Sequence, residues 1–402
     1  MGKKGILCLR KVCLAALAFV VCVSVLTVKE EIVWCGEAKQ GFYNIGVIAP
    51  ISGPGAALGK YFAQAVEVET KYINNSGGIN GIPVKLFIED DQSNPTVALV
   101  AVKKLIQNGA VCILGSVLTN NVLAMIPELE KAQVPNIASG AGRQIIDPLR
   151  KWIFKVPHTD TKVNLAMLEF AKRSLEAKQI AVLFQDDAYG MSGAKQMRTQ
   201  APQLGISIVS EQTFHAGDSN MISQLMKISK KSPDAVLVHS FIGPGAIIAK
   251  NAYQIGLKTP IVYSTGAVSE TLIKVAGNKV AEGLYFAGIK PTIGNLLPQN
   301  DPQKFFYDRF LKRLKKENIR FDTFHGNGHD ATNLMAYALK KISPKVNDTR
   351  AIRDAIQRAL ETVKNLPLHN AMYTFTSKDH DGAMAESLVM VQVRDGKFVP
   401  AK

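Results

Sequence analysis

Cysteine is scarce. The 402-residue chain has five, and Cys8, Cys13, Cys22 and Cys35 all fall in an N-terminal stretch that reads as a removable leader. A mature chain would keep Cys112 alone and could form no intrachain disulfide. Cys112 sits in the run Val111-Cys112-Ile113-Leu114, where a thiol is core filler rather than a nucleophile. Charged residues are only 20% against 47% apolar, which excludes a disordered chain. Long hydrophobic runs are missing beyond the leader, so a multi-spanning membrane protein is excluded too. Low-complexity segments and short tandem repeats are absent, which rules out a solenoid. Basic residues outnumber acidic ones, 48 to 33, for a net +15, yet no aromatic-interleaved basic patch exists to bind nucleic acid. The densest cluster, Arg309, Lys312, Arg313, Lys315, Lys316 and Arg320, lies opposite Phe306, Phe310, Leu311 and Leu314. It reads as the solvated face of an amphipathic helix, with a docking face as the alternative.

What is present begins with Lys3, Lys4, Arg10 and Lys11 ahead of the uncharged run Val12 to Val28, the plan of a signal peptide. Gly36-Glu37-Ala38 offers small residues to a leader peptidase, so cleavage is expected after Ala38, giving a signal peptide over 1–38 and a mature chain from Lys39. A retained anchor is the competing reading, but the run is at the short limit for a span and contains Ser24 and Thr27. Lipidation would require a small residue before its cysteine, whereas Val21 and Trp34 precede Cys22 and Cys35. The leader carries five basic and three acidic residues, so its loss takes the net charge from +15 to +13.

From Phe42 onward, short β-branched runs alternate with segments of helical period, the signature of βαβ units and parallel sheets. One series of strands is expected at Tyr43 to Ala49, Val84 to Ile88, Val111 to Gly115, Val134 to Ile137 and Ile153 to Val156. A second is expected at Ile180 to Phe184, Ile206 to Val209, Ala235 to Val238, Ile261 to Tyr263 and Leu284 to Phe286. Between them lie helices such as Leu58 to Asn74, with Phe62, Ala65, Val66, Tyr72 and Ile73 on one face. The length suits two to three folding units of about 150 residues, and each strand series would make one doubly wound α/β lobe. Helices are expected from about Gln303, Asn327 and Thr349. A late antiparallel pair is expected between Met372 to Phe375 and Ser387 to Val393, turning at Asp379-His380-Asp381-Gly382.

Three features could carry an enzyme, and none completes a constellation. Gly53-Pro54-Gly55-Ala56-Ala57-Leu58-Gly59 follows a strand and opens a helix, and Glu89-Asp90-Asp91 ends the next strand, the setting of a dinucleotide fingerprint. Pro54 removes an amide and the third glycine is one residue late, so NAD binding is disfavoured and no cofactor is expected. His325-Gly326-Asn327-Gly328-His329-Asp330 spaces two histidines as metal ligands would be, but no further ligand cluster exists and the two glycines suggest a loop leading into a helix. Gly190-Met191-Ser192-Gly193 lacks the spacing of a nucleophile elbow. What remains is strand C-termini opening into loops of small hydrogen-bonding residues, Gly115-Ser116-Val117-Leu118-Thr119-Asn120 and Ser139-Gly140-Ala141-Gly142-Arg143, where open α/β sheets bind ligands and helix-terminal amides suit carboxylates.

Several spaced motifs in order resemble a known family. Ile45-Gly46-Val47-Ile48-Ala49-Pro50-Ile51-Ser52-Gly53-Pro54, Ile73-Asn74-Asn75-Ser76-Gly77-Gly78-Ile79-Asn80-Gly81, Glu89-Asp90-Asp91 and Tyr189-Gly190 are similar to the extracytoplasmic solute-binding proteins of branched-chain amino acid ABC transporters. The likeness runs from about Tyr43 to the C-terminal strands. It implies the type I periplasmic-binding-protein fold, two doubly wound parallel-sheet lobes joined by a three-strand hinge that close on a ligand. The lobes would be 42–158 with 287–371, and 159–286 with 372–402.

The resemblance also implies a role: a periplasmic monomer, not an enzyme, that takes a small carboxylate or amino acid to a membrane permease. Thr119 matches the position whose hydroxyl binds the ligand carboxylate, with Ser116 in the same loop. The next contact loop aligns with Gly140 and Gly142, and because amino-acid binders usually offer a hydroxyl at the latter, Ser139 or Arg143 would have to compensate. Tyr189 and Phe241 match positions that close over the ligand, and Leu58 and Phe324 match side-chain contacts. Thr265 stands where amino-acid binders have an acid that pairs with the ligand ammonium, and burying that ammonium unpaired is costly. Either Asp187 supplies the charge or the cargo is an aromatic or aliphatic acid without an ammonium, which Arg143 would suit. A ligand-sensing module of the same fold is the alternative role, and an exported NAD-dependent enzyme a more distant one.

Overall fold

The structure, a computed structural model, describes residues 41–402; the expected signal peptide lies outside the described residues. The first half of the chain runs β1 (Tyr43–Ala49), α1 (Ala56–Asn75), β2 (Val84–Asp90), α2 (Pro95–Gln107), β3 (Cys112–Gly115), α3 (Thr119–Ala132), β4 (Asn136–Ala138) and β5 (Ile153–Lys155). These strands form a five-stranded parallel sheet in the order β2-β1-β3-β4-β5. Central strands of a parallel sheet are covered on both faces and need unbroken apolar runs, which is why β1, β3 and β4 are buried almost throughout. Cys112 is fully buried among them, and burial pushes its thiol up to about 12, so it acts as packing.

The chain then enters α4 (Asp160–Ser174), β6 (Gln179–Gln185), α5 (Ala188–Gln200), β7 (Ser207–Phe214), α6 (Ile222–Ser229), β8 (Ala235–His239), α7 (Ile242–Gln254), β9 (Ile261–Tyr263), α8 (Glu270–Ala276), α9 (Asn278–Ala281) and β10 (Tyr285–Ile289). Three helices follow, α10 (Lys304–Lys316), α11 (His325–Lys340) and α12 (Thr349–Leu360), then β11 (Leu366–Pro367), β12 (Met372–Tyr373), β13 (Leu388–Arg394) and β14 (Lys397–Pro400). The second sheet has seven strands, β14-β13-β10-β9-β8-β6-β7, of which β13 alone runs antiparallel to its neighbours. The chain passes between the sheets after β5, after β10 and after β12, so the fold is the expected α/β arrangement of two sheets with three crossings.

Two expectations are corrected here. Met372 to Phe375 does not pair with Ser387 to Val393. Tyr373 instead donates its hydroxyl to the Val156 carbonyl (2.9 Å) and to Asp330 (2.8 Å), and Phe375 meets Phe154 edge-on. Both rings belong to the first core. β13 lies antiparallel to β10 and takes β14 on its outer side through a turn at Asp395 (φ 50°) and Gly396 (φ 72°), the tight left-handed turn of a two-residue hairpin. β10 itself runs on to Ile289, past the expected limit at Phe286.

The second correction concerns the two spaced histidines. Residues 325–329 open α11 as helix, not loop. Gly326 and Gly328 are there for close packing: a Cβ at Gly328 would lie 2.3 Å from the Phe62 carbonyl oxygen of α1, and one at Gly326 would lie 1.8 Å from Asn370 Oδ1. His325 is hydrogen-bonded to Asp322 and Gln64, His329 to Asp330, and no metal-binding group of side chains occurs among the described residues.

Candidate functional site

Between the C-terminal ends of the two sheets lies a cavity, partly open to solvent and lined by residues of both sides. The first sheet contributes α3. Its N-cap, Leu118, provides no side-chain cap, and the first backbone bond of the helix runs from Val122 to Leu118. The amides of the first turn are therefore left for a ligand. Thr119 lines the cavity and is 2% exposed, and its hydroxyl accepts from Gly142 N (3.2 Å), which leaves its proton free to donate. Ser139, also in the wall, is buried with no partner for its Oγ.

The loop 139–143 lies directly on that helix end because it carries glycines. A Cβ at Gly142 would sit 2.6 Å from Thr119 Cγ2, and one at Gly140 2.6 Å from Ile145 Cδ1 and 3.2 Å from Thr119 Cα. Both residues form the support behind the wall rather than the wall. Arg143 is also outside it, donating from Nε to Asp147 at 2.8 Å and reaching Thr161 at 3.5 Å. Of the two residues expected to compensate at Gly142, only Ser139 faces the cavity. Ser116 is buried outside the wall, where it donates to the Asp91 carboxylate at 2.5 Å and so fixes the loop ahead of α3.

The second sheet contributes an aromatic shelf. Tyr189, in the first turn of α5, stacks on Phe241 at 5.0 Å between ring centres, and its hydroxyl pairs with Ser264 (2.8 Å). Burial pushes the Tyr189 phenol up to about 12, so the shelf is uncharged. Thr265 and Gly266 follow β9, and a Cβ at Gly266 would lie 2.9 Å from the Tyr189 hydroxyl. Leu58 and Phe324 complete the apolar lining, with Val117, Val268 and Ile289. Asp187 is elsewhere: it caps α5 through Gly190 N (2.8 Å), accepts from Gln185 Nε2 (2.6 Å) and lines an adjoining pocket with Asp186 and Asn120.

Among the described residues, none lining the cavity is Asp, Glu, Lys or Arg. Sequence reasoning missed several of its polar members: His158 on the first crossing, Thr323 just before α11, Asn327 in its first turn, and Asn370 between β11 and β12. The signal available was position alone, Pro157-His158 directly after a buried strand. Contacts join the two sides around the cavity. Ala188 N donates to Asn120 Oδ1 and Gln144 Nε2 to the Ala188 carbonyl, both at 2.8 Å, and Ser269 donates to Asp322 at 2.5 Å. The GxGxxxG stretch is structural: Gly53 has φ +79°, a Cβ at Gly59 would lie 2.0 Å from the Pro50 carbonyl oxygen, and Asp90 is occupied by Ile51 N, Ser52 Oγ and Gln92 N.

A family model described as periplasmic binding protein matches residues 43–397. Among curated proteins, the chain is 22% identical to Leu/Ile/Val-binding protein homolog 3 of Brucella melitensis, covering 90% of this chain and 94% of that one. It is 24% identical to an amino acid binding protein of Pseudomonas aeruginosa, over 82% and 84%. Among solved structures, an extracellular ligand-binding receptor from Rhodopseudomonas palustris HaA2 superposes with a TM-score of 0.84 at 28% identity, covering 90% of this chain and all of that one. The branched-chain amino acid transporter substrate binding protein LivJ from Streptococcus pneumoniae, in complex with isoleucine, has the same fold, with a TM-score of 0.76 at 22% identity over 89% and 97%.

Proposed function

The chain belongs to the periplasmic binding protein family, and from that premise we propose that it captures a small carboxylate-bearing solute between its two sheets and delivers it to the membrane permease of an ABC transporter. It is a binding protein, not an enzyme. The observation that carries the reading is the pairing of free donors with an apolar shelf: the Thr119 hydroxyl, the unpartnered Ser139 hydroxyl and the open first turn of α3 face Tyr189 and Phe241 across one cavity. Donors fixed in place in a site shielded from water suit a carboxylate, and the shelf suits an aliphatic or aromatic remainder.

The cargo is a branched-chain amino acid or a related aromatic or aliphatic acid. The names of the curated relatives favour the first. The uncharged wall, with threonine at 265, favours an acid without an ammonium, because an ammonium would have no carboxylate to meet there. In this reading the protein works as a periplasmic monomer after cleavage near Ala38. In the same reading one lobe comprises 42–158 with 290–384 and the other 159–289 with 385–402, in place of the boundaries at 286 and 371; β10 ending at Ile289 and Ala383 packing in the first core support this division.

A thermal-shift and calorimetric screen of the protein from Lys39 tests this against leucine-like amino acids, aromatic and aliphatic carboxylates, and NAD, since a ligand of the folded state raises the melting temperature. A rise with carboxylates alone identifies the cargo class, and a rise with leucine means another group holds the ammonium. A rise with NAD alone overturns the reading.

A further inference from the structure

His158 follows Pro157 on the first crossing, is 3% exposed and lines the cavity with Ser139, Ala141 and Asn370. Its Nε2 lies 2.9 Å from the Met384 carbonyl oxygen. A carbonyl can only accept, so Nε2 carries the proton. Nδ1 makes no hydrogen bond among the described residues and is not sealed off from the cavity, and in a neutral ring it is a bare lone pair. Burial keeps the ring neutral, pushing it down to about 4. The nearby charges act on it less than burial does, Lys162 and Lys155 lowering it and Asp381 raising it, and each has its own hydrogen-bond partner. Lys155 donates to the Pro157 carbonyl, Lys162 to the Asp381 and Ala383 carbonyls, and Asp381 accepts from Thr159 and Lys162.

We propose that His158 is a specificity-determining residue whose Nδ1 accepts a hydrogen bond from the ligand, so that the preferred cargo is a carboxylic acid bearing a hydroxyl on its carbon frame rather than a bare hydrocarbon acid. The other fixed groups of the cavity complement this. Thr119 and the helix amides donate and the Tyr189 hydroxyl is already engaged by Ser264, so His158 adds a ring-nitrogen acceptor to a wall whose other polar side chains, Ser139, Thr265, Thr323, Asn327 and Asn370, are hydroxyls and amides. A site whose fixed acceptor pairs with a ligand hydroxyl favours that ligand over the analogue lacking it.

The inference rests on the carboxylate reading above, and the test separates the two. Calorimetry would compare hexanoate and 3-phenylpropanoate with isomers of each carrying one hydroxyl at successive positions, using wild type, His158→Phe and His158→Gln. Glutamine can donate to Met384 and accept from the ligand; phenylalanine can do neither. One hydroxy isomer is expected to bind wild type at least about tenfold more tightly than its parent. That preference should vanish in His158→Phe and be largely kept in His158→Gln. Equal binding of all isomers, or a preference that survives in His158→Phe, overturns the role of His158 while leaving the carboxylate site standing. Affinity for the unsubstituted acid that rises from pH 7 to pH 5 and is lost in His158→Phe also overturns it, by making the ring a donor to the carboxylate. If no member of either series binds, both readings fall.

Discussion

Thr119 combines two roles that usually fall to different residues: it starts a helix whose first amides are free, and its hydroxyl is steered by the amide of Gly142. Thr119→Ala should weaken ligand binding at least about tenfold, or ~1.4 kcal/mol, by calorimetry with an unchanged melting temperature of the free protein. Unchanged affinity in a folded variant would remove Thr119 from the site. Gly142 yields a less obvious expectation. Restoring a hydroxyl there by Gly142→Ser would reproduce the residue type of amino-acid binders, yet its Cβ would sit 2.6 Å from Thr119 Cγ2 and 2.9 Å from Gln144 Oε1. The helix end or the loop would have to move, so the variant should bind several-fold more weakly than wild type rather than more tightly, since overpacking a tight contact costs about 1–3 kcal/mol.

Among the elements, α11 does more than fill space beside α1. Its Asp330 accepts from His369 N (2.9 Å), Asn370 N (2.8 Å) and the Tyr373 hydroxyl (2.8 Å), tying the β11–β12 segment to α11. Asp330→Asn puts a donor against donors and should destabilise the protein by about 2–4 kcal/mol, measured as a fall in urea midpoint with an unchanged slope. Much of this architecture was legible in the chain. β1 and β9 have their expected limits, and the helical face of Phe62, Ala65 and Val66 is buried as its period implies. What was not legible depended on partners distant in sequence. Tyr373 and Phe375 alternate as a strand would, but Phe154 and Asp330 claim their rings. Gly326 and Gly328 look like loop residues until α1 and Asn370 are seen against them. In the site, Leu58, Thr119, Ser139, Tyr189, Phe241, Thr265 and Phe324 line the cavity, while Ser116, Gly140, Gly142 and Arg143 lie behind or beside it. A loop's sequence shows which residues can hydrogen-bond, but not which of them the fold turns outward.

For the molecule as a whole, the buried histidines govern behaviour in acid. Burial pushes His158, His239, His325 and His369 each down to about 4, below the ~6.5 of an unfolded histidine. The unfolded chain takes up these protons first, so this contribution to stability is complete above about pH 6.5 and falls as the pH drops toward 4. At pH 5 the loss is up to ~2 kcal/mol for each ring. The carboxyls of Asp91, Asp160 and Asp322, which burial pushes up, oppose it at lower pH. The urea midpoint should therefore decline from pH 7 to pH 5 while ring resonances in NMR spectra still report neutral imidazoles; rings that titrate near 6.5 in the folded protein would contradict this. The uncharged cavity wall has a different consequence. In the carboxylate reading, a ligand gripped by hydroxyls and amides has no counter-charge beside it for dissolved ions to screen, whereas the net +13 of the chain from Lys39 acts on the anion only during approach. Raising ionic strength should slow association and leave the dissociation rate nearly untouched, so salt would govern how fast the protein fills and not how long it stays filled.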